Sequence, residues 1–421
     1  MKYLIKNARI INPKKSQDFI GDLLIENGLV SEIGENISCD CEILDAKGLC
    51  LAPGLVDMHV HLRDPGLTYK EDIITGCSAA SAGGITSLLC MPNTNPTIDS
   101  AETVDYIIET AKKATAKVYV ACAVTKSLKS EEPCDLEEMK KHGAVAITDD
   151  GSPVVNVDFL EKAMKLAPQI GLRYVAHCED LNYVKKSWKM NEGEISKELG
   201  LIAVPNISED SGTEREIKLA EKLSVPVHIC HVSTGKSADL IRQAKKKGLQ
   251  VSGETAPHYM LMTDRELLKK DADYRMNPPL RCEEDRLAMI EAVLDGTIEV
   301  IATDHAPHSV KEKVDFENAP NGVIGMETSL AGTITAIGDS VSLSKIIDMM
   351  SVKPAEILGI NAGVLEKGKP ADIVIFDPKE KWVVDANKMH GKSKNAIFKG
   401  TELTGKVKYT LLNGEIVYRG E

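Results

Sequence analysis

Two histidines, His59 and His61, end an apolar segment that spans residues 54–62. Alternate residues of a β-strand point to the same face, so these two imidazoles would lie side by side. Neutral imidazole is a common zinc ligand. Two surface histidines would show the same spacing, but Pro53-Gly54 and the apolar strand before this pair favour a metal site.

Four further apolar segments end in polar residues that can bind a metal. Any one of them could be a buried polar residue or a helix N-cap. Five such ends in one sheet instead predict a divalent metal with an open position for water or substrate. The further ends are Thr148-Asp149-Asp150, His177-Cys178-Glu179-Asp180, His228-Ile229-Cys230-His231 and Thr303-Asp304-His305. His228 is expected to face away from His231, in the core or behind the ligands.

Eight apolar segments recur along the middle of the chain, most of them about thirty residues apart, with helical patterns between them. Strands that are apolar along their length are buried on both faces, as in a parallel sheet covered by helices. The pattern predicts an α/β fold, a (β/α)8 TIM barrel with its site at the carboxyl ends of the strands. The segments are 54–62, 86–93, 117–125, 144–150, 173–180, 225–233, 249–260 and 298–307.

Both ends of the chain have short β patterns. The last sixty residues include a strand pattern at 395–400 and an Asn413-Gly414 turn between two strands, which is a strong hairpin signal. We therefore expect residues 1–53 and 364–421 to form one composite β-sandwich domain, and residues 54–363 to form the barrel.

Composition excludes several classes of partner. The chain has 421 residues, 27% of them charged, and a formal net charge of -12. An acidic surface repels phosphate backbones and anionic lipid, so no nucleic-acid or membrane partner is expected. No apolar segment approaches the ~18 residues of a membrane span, and the first residues lack a signal-peptide pattern. With ten scattered cysteines read as reduced thiols, a cytoplasmic protein is expected.

Several motifs resemble a known family. PGLVDMHVH (53–61) resembles the opening signature of the amidohydrolase superfamily, and LEKGKPADIV (365–374) resembles its return to the small β domain. LRDPG (62–66), MPNT (91–94), RMNPPLR (275–281) and ATDHAPH (302–308) resemble the long-chain bacterial dihydroorotases. The resemblance covers essentially the whole chain.

The resemblance implies one or two Zn²⁺ ions per subunit. Its metal ligands correspond to His59, His61, Asp150, His177, His231 and Asp304. His59, His61 and Asp304 would bind the first ion, and His177 and His231 the second. Many relatives bridge the two ions with a carboxylated lysine, whereas this chain has an aspartate there. Asp149 and Asp150 would point to opposite strand faces, and the resemblance favours Asp150 as the bridge.

The resemblance also implies the reaction and its other residues. The activity would be the reversible cyclisation of N-carbamoyl-L-aspartate to L-dihydroorotate in pyrimidine biosynthesis, with Asp304 as the catalytic proton carrier. The expected substrate-binding residues are His61, Arg63, Asn93, Asn277, His308, Asn321 and Gly322. Arg63 can bind a carboxylate with two parallel hydrogen bonds, and residues 305–322 are interpreted as a loop that closes over substrate.

Other functions remain open at this point. The nearest alternative is an allantoinase or a hydantoinase-like enzyme, which usually has the bridging lysine and lacks the Arg63 and Asn93 pair. A second alternative is a non-catalytic subunit that supports aspartate transcarbamoylase, although such subunits typically lose metal ligands. A homodimer is expected by analogy with the family.

Overall fold

The chain begins with five strands, and the computed structural model describes residues 2–184 and 190–420. The strands are β1 (Lys2–Asn12), β2 (Gln17–Glu26), β3 (Leu29–Gly34), β4 (Glu42–Asp45) and β5 (Cys50–Pro53). β1 pairs antiparallel with β2 and parallel with β4 and β5. Ile5 lies opposite Leu23, and both belong to the buried face of this sheet.

Eight parallel strands follow and form the barrel that the sequence predicts. They are β6 (Leu55–Val60), β7 (Ile85–Cys90), β8 (Lys117–Cys122), β9 (Ala144–Ile147), β10 (Arg173–Ala176), β11 (Val227–Ile229), β12 (Val251–Thr255) and β13 (Val300–Ile301). A parallel bridge between Val60 and His305 closes the ring. There the His61 amide donates to the His305 carbonyl at 2.8 Å. The prediction of a TIM barrel is confirmed.

Helices cover the outside of the barrel, and side chains cap several of them; Asp72, for example, accepts from the Thr75 amide at 2.8 Å. The helices are α1 (Ile73–Ala82), α2 (Ala101–Ala111), α3 (Leu136–Lys141), α4 (Val157–Gln169), α5 (Glu194–Leu199), α6 (Ile207–Leu223), α7 (Gly235–Lys246), α8 (Pro257–Leu261), α9 (Glu283–Leu294), α10 (Ser329–Ile337), α11 (Leu343–Ile347) and α12 (Lys353–Leu358). In the described ranges, no helix combines the length and the apolar character needed to cross a bilayer.

Apolar side chains fill the barrel below the strand ends. Val56, Met58, Leu89 and Val175 are among the residues that pack inside it. The outward faces of the strands pack against the helices, so the strands are buried on both faces. This packing explains their continuous apolar runs and fixes the directions of the polar side chains that follow them.

The last three strands return to the first sheet. They are β14 (Ile373–Val383), β15 (Glu402–Leu412) and β16 (Glu415–Arg419). β14 pairs antiparallel with β5, which completes a mixed sheet of eight strands from both ends of the chain. The predicted hairpin is confirmed, because Asn413 and Gly414 have φ values of 48° and 77° between β15 and β16. The exact domain bounds, 54–363 against 1–53 and 364–421, stay a prediction.

The prediction of a strand at 395–400 is wrong. Only Ala396 makes a bridge, to Ile324 after β13, and turns follow it. Ile397 and Phe398 are consecutive and both are buried in the barrel's helical layer, so they do not alternate between two faces as strand residues do. The segment therefore packs against the barrel loops instead of joining the sheet.

Two of the ten cysteines also differ from expectation. Cys39 and Cys41, in the loop between β3 and β4, form a disulfide, so the prediction of reduced thiols is wrong for this pair. The other eight cysteines are free, and seven of these are buried.

Candidate metal centre and substrate site

Six side chains meet where the barrel strands end, and each is less than one-tenth exposed. His59 lies on β6 and His61 follows it; Asp150 follows β9, and Asp304 follows β13. His177 and His231 follow β10 and β11. The carboxyl ends of parallel strands converge in a barrel, which is why residues nearly 250 positions apart lie in one cavity.

Asp150 occupies the centre of this cluster. Its Oδ1 lies 3.4 Å from His59 Nε2, 3.3 Å from His177 Nδ1 and 3.6 Å from His231 Nε2. Its Oδ2 lies 3.5 Å from His61 Nε2. One carboxylate thus faces both pairs of histidines, which is the position that a bridging ligand needs.

Asp149 points to the end of β8 instead. Its Oδ1 accepts from the Val124 amide at 2.7 Å and from the Thr125 amide at 3.2 Å, and its Oδ2 accepts from the Thr125 hydroxyl. Burial has the largest effect on the pKa of Asp149 and raises it to about 6, although these hydrogen bonds lower it. The structure therefore separates the two neighbouring aspartates, one among the histidines and one in a structural contact.

Asp304 lies beside the first pair of histidines. Its Oδ1 is 3.1 Å from His61 Nε2 and 3.6 Å from His59 Nε2. The ligand atoms of His59, His61 and Asp304 all lie within 4.8 Å of one another, and those of His59, Asp150 and His231 do the same. His177 adjoins the second group, with Nδ1 2.8 Å from His231 Nε2.

The chemistry of these residues fits a divalent cation. Among the described residues, His59 Nε2 and Asp150 Oδ1 are buried polar atoms without a hydrogen-bond partner, and they face each other. Such atoms are costly to bury unless something satisfies them. Burial lowers the pKa of His59, but Asp150 and Glu254 raise it well above its ordinary value. The site thus favours positive charge, and zinc accepts imidazole and carboxylate ligands.

Glu254, at the end of β12, orients His59, and the sequence analysis did not single it out. Its Oε1 lies 2.8 Å from His59 Nδ1. Burial raises the pKa of Glu254, but hydrogen bonds from His228 and His59 outweigh burial and hold it below its ordinary value. Glu254 is the one charged residue of the mostly buried strand β12, and that was the signal that could have found it.

Arg63 lies in the chain two residues after His61, a member of this cluster. It is 8% exposed, and its Nε donates to the Pro307 carbonyl at 3.2 Å. Within residues 2–184 and 190–420, no carboxylate oxygen lies within 4.0 Å of its guanidinium. Burial lowers the pKa of Arg63. The guanidinium contacts the Pro307 carbonyl and His308 Nε2 instead. A buried guanidinium without a carboxylate partner is costly, and an anionic ligand would offset that cost.

Two of the three predicted asparagines, Asn93 and Asn277, lie at the edge of the cluster. Asn93 accepts a hydrogen bond from His61 Nδ1 at 2.7 Å, which turns His61 Nε2 toward Asp304. Asn277 lines a small cavity together with His177 and Glu179. Asn93 therefore orients a ligand besides any contact it makes with substrate.

His308 joins two loops. Its Nδ1 lies 3.2 Å from Lys70 Nζ, and its Nε2 lies 2.9 Å from the Asn321 carbonyl. An ammonium group only donates, so Nδ1 accepts and the Nε2 proton is donated to Asn321. Burial, with the charges of Arg63 and Lys70, lowers the pKa of His308 to about 2. The ring is therefore neutral, and Lys70 is a residue that the sequence analysis missed.

Close packing and two lysine side chains hold Gly322 and the segment 305–322 in place. Gly322 has a φ of 139°, and a Cβ atom there would lie 2.7 Å from the Ala306 carbonyl oxygen, so a larger residue does not fit. Lys313 Nζ donates to the Gly322 carbonyl at 2.9 Å, and Lys70 pairs with Glu312 at 2.9 Å. The closing motion expected for this segment stays a prediction.

Asn395, from the C-terminal segment, fastens the same loop to the rest of the molecule. Its side chain accepts from the His308 amide at 3.2 Å and donates to the carbonyls of Ala306 and Gly322 at 3.2 and 3.0 Å. The sequence carried no local signal for this role, because the partners are up to 89 residues away.

Sequence comparisons identify relatives over the whole length of the chain. The model of the amidohydrolase family matches residues 50–417. A dihydroorotase of Geotalea daltonii is 45% identical over 424 residues, which cover 100% of both chains. A dihydroorotase of Acetivibrio thermocellus is 45% identical over 421 residues, 99% of each chain.

Solved structures show the same architecture. An L-hydantoinase (dihydropyrimidinase) from Arthrobacter aurescens superposes with a TM-score of 0.88 at 24% identity, over 100% of this chain and 96% of that one. A dihydropyrimidinase from Brevibacillus agri NCHU1002 gives 0.85 at 26% identity, over 100% and 95%. The likeness extends over both the barrel and the composite sheet.

Proposed function

Because the chain belongs to the amidohydrolase family, and within it to the dihydroorotases, we propose that its strand-end cluster binds zinc and cyclises N-carbamoyl-L-aspartate reversibly to L-dihydroorotate. The observation that carries the assignment of residues is the buried Arg63, which has no carboxylate partner among the described residues and lies two positions after the metal-facing His61. One end of the cavity thus offers a cation site, and the adjoining end a place for a carboxylate.

Six residues would hold one or two metal ions, with Asp150 as the bridge between them. A bound zinc ion supplies a water of pKa near 7 and polarises the carbonyl that this water attacks. The ligands are His59, His61, Asp150, His177, His231 and Asp304. No carboxylated lysine is needed, since the Asp150 carboxylate already faces histidines of both groups.

Asp304 moves the proton in this proposal. Burial raises the pKa of Asp304, but the hydrogen bond from His61 and the charge of His59 lower it below its ordinary value. At neutral pH it is therefore ionised, so it can accept the proton of the attacking water and donate it to the ring nitrogen that leaves. Ring closure begins with the same carboxyl group protonated. The two directions should therefore prefer opposite sides of a common pH range.

Arg63 and its neighbours orient the substrate. The planar guanidinium can hold a substrate carboxylate with two parallel hydrogen bonds, which fixes both the position and the rotation of that group. Asn93, Asn277 and the backbone at Asn321 and Gly322 supply polar groups for the amide edges of the ring. His308 supports this edge through Asn321.

A cytoplasmic location is part of the proposal. Eight of the ten cysteines are free, which favours a reducing compartment, although Cys39 and Cys41 are paired. A homodimer, and an association with aspartate transcarbamoylase, are carried over from the family and stay predictions.

Substrate choice tests the proposed function. The zinc-loaded protein is assayed with N-carbamoyl-L-aspartate and L-dihydroorotate, and in parallel with hydantoin and allantoin. We expect kcat/KM for the first pair to exceed that for the neutral rings by about 100-fold or more, because the neutral rings offer Arg63 no carboxylate.

Two results would contradict this assignment. Equal or faster turnover of hydantoin or allantoin would assign the chain to the other cyclic amidohydrolases. A protein that binds zinc but turns over none of the four compounds would be a non-catalytic subunit.

A further inference from the structure

Four hydrogen-bonded side chains cross the barrel interior behind the metal centre. Ser252 Oγ lies 2.8 Å from His228 Nδ1, and His228 Nε2 lies 3.2 Å from Glu254 Oε2. Glu254 Oε1 then lies 2.8 Å from His59 Nδ1. His59, His228 and Glu254 are each at most 2% exposed. Apolar side chains fill the rest of the barrel interior. A chain of four hydrogen-bonded polar side chains there calls for a functional explanation.

Glu254 determines which nitrogen of His59 carries the proton. An ionised carboxylate only accepts hydrogen bonds, so His59 must donate through Nδ1. Its Nε2 is then the nitrogen left to bind a metal, and it faces Asp150 and Asp304 at 3.4 and 3.6 Å. Glu254 Oε1 also accepts from the His231 backbone amide at 3.3 Å, so one carboxylate contacts two neighbouring ligands.

The contacts of Glu254 do not support a separate metal site next to His59. His59, Cys230 and Glu254 have ligand atoms within 4.8 Å of one another, which is the spacing of a metal group. Glu254, however, already accepts from His59, His228 and the His231 amide, so both of its oxygens are satisfied. Cys230 is 2% exposed, and a buried thiol stays protonated. Orientation of His59 is therefore the role that these contacts support.

The Ser252 end of this hydrogen-bonded chain reaches the opposite face of the barrel. His228 and Ser252 line a pocket of about 330 Å³ together with Arg173, Val227 and Glu299. These residues lie at the amino-terminal ends of β10 to β13. Small molecules in solution can therefore approach His228 without passing through the substrate site.

We propose that Glu254 is a positioning residue that holds His59 in the tautomer that binds metal, and that His228 in turn holds Glu254. This inference rests on the proposed metal-dependent function. Residues that orient metal ligands in this way typically contribute 10–100-fold to metal affinity. Glu254 and His228 should therefore change the zinc dissociation constant although neither binds the ion.

The test measures zinc affinity of the full-length metal-free protein by competition with a chromophoric chelator. Glu254→Gln preserves the shape of the side chain but removes its charge and one acceptor, so the zinc Kd should rise about 10-fold or more. Glu216→Gln is the matched control. Glu216 is equally buried, but it pairs with Arg215 and Tyr174 and not with a candidate metal ligand. Its Kd should stay within about twofold of the wild-type value.

Chemical rescue keeps the test decisive if Glu254→Gln folds poorly. His228→Gly removes the imidazole at the pocket end, and added imidazole can enter the pocket of about 330 Å³ to take its place. We expect His228→Gly to weaken zinc binding about 10-fold and imidazole to restore most of that loss. The same imidazole should not restore Glu254→Gln, because the carboxylate itself is missing there.

Failure of the inference differs from failure of the proposed function. If the wild-type protein binds no zinc, the proposed function is wrong and the positioning role with it. If the wild type binds zinc and Glu254→Gln binds it equally well, the metal centre stands and the positioning role is overturned. A loss in His228→Gly that imidazole does not restore would likewise overturn the role of His228.

Discussion

The proposed metal side and the proposed substrate side of the cavity lie next to each other, but different parts of the chain hold them. The ligands stand on strand ends, and the barrel fixes their directions; His59 and His61, for instance, belong to the strand end that closes the ring. Arg63, His308 and Gly322 lie on loops, and Asn395 from the C-terminal segment fastens two of them. The comparison teaches that metal binding and substrate binding can be perturbed separately.

Asp304→Asn should give the largest effect, because Asp304 belongs to both sides. The amide keeps an oxygen that can face the metal but cannot carry the proton. We expect kcat to fall by about 10²- to 10⁴-fold while the metal content stays near that of the wild type. Steady-state kinetics with elemental analysis of the same preparation measures both. A variant with a near-normal rate would remove Asp304 from proton transfer.

Arg63→Met should separate the two sides most clearly. Losing two charge-assisted hydrogen bonds costs roughly 3 kcal/mol, so kcat/KM for N-carbamoyl-L-aspartate should fall about 100-fold. Zinc affinity and the slow turnover of neutral cyclic amides should change little. Equal losses on charged and neutral substrates would show that Arg63 is structural.

Asn395→Ala should weaken the substrate side from a distance. It removes three hydrogen bonds to backbone groups of the loop around His308 and Gly322. Loss of these hydrogen bonds costs about 1–3 kcal/mol, so KM should rise roughly 10-fold while the zinc Kd stays constant. Lys388→Ala, an exposed change in the same segment, is the control and should alter neither. A changed zinc Kd in Asn395→Ala would contradict the separation of the two sides.

The smallest effect concerns pH. The folded protein holds the pKa of His308 at about 2, below the ordinary value of about 6.5. Between these values the unfolded chain binds one more proton, so the free energy of unfolding falls as the pH falls below about 6.5. From pH 7 to pH 5 the wild type should lose roughly 1–2 kcal/mol more than His308→Gln in urea unfolding. Identical losses would show that His308 is charged in the folded state.

Strand periodicity explains what the sequence could predict. The eight buried strands follow from their apolar runs, and the polar residues after them fall at one end of the barrel. Alternation along β9 left two candidates, Asp149 and Asp150, and the structure places only Asp150 among the histidines. These features depend on local pattern and on the geometry of one sheet.

Other features depend on contacts between residues that are distant in sequence, and the sequence could not predict these features. Glu254 lies 195 positions from His59, and Asn395 lies 87 from His308, so no local pattern joins them. The prediction of a strand at residues 395–400 was wrong because of such distant contacts. The β-like residues of this segment are buried against barrel helices and loops, and this packing decides their conformation.

Removal and return of the metal is the most direct test of the account. The full-length protein is stripped with a chelator, assayed for ring closure of N-carbamoyl-L-aspartate, and assayed again after zinc is added and its stoichiometry measured. We predict that activity falls to background in the stripped protein and returns with one or two zinc ions per chain. A stripped protein that closes the ring at its original rate would contradict the assignment of these six side chains to a metal centre.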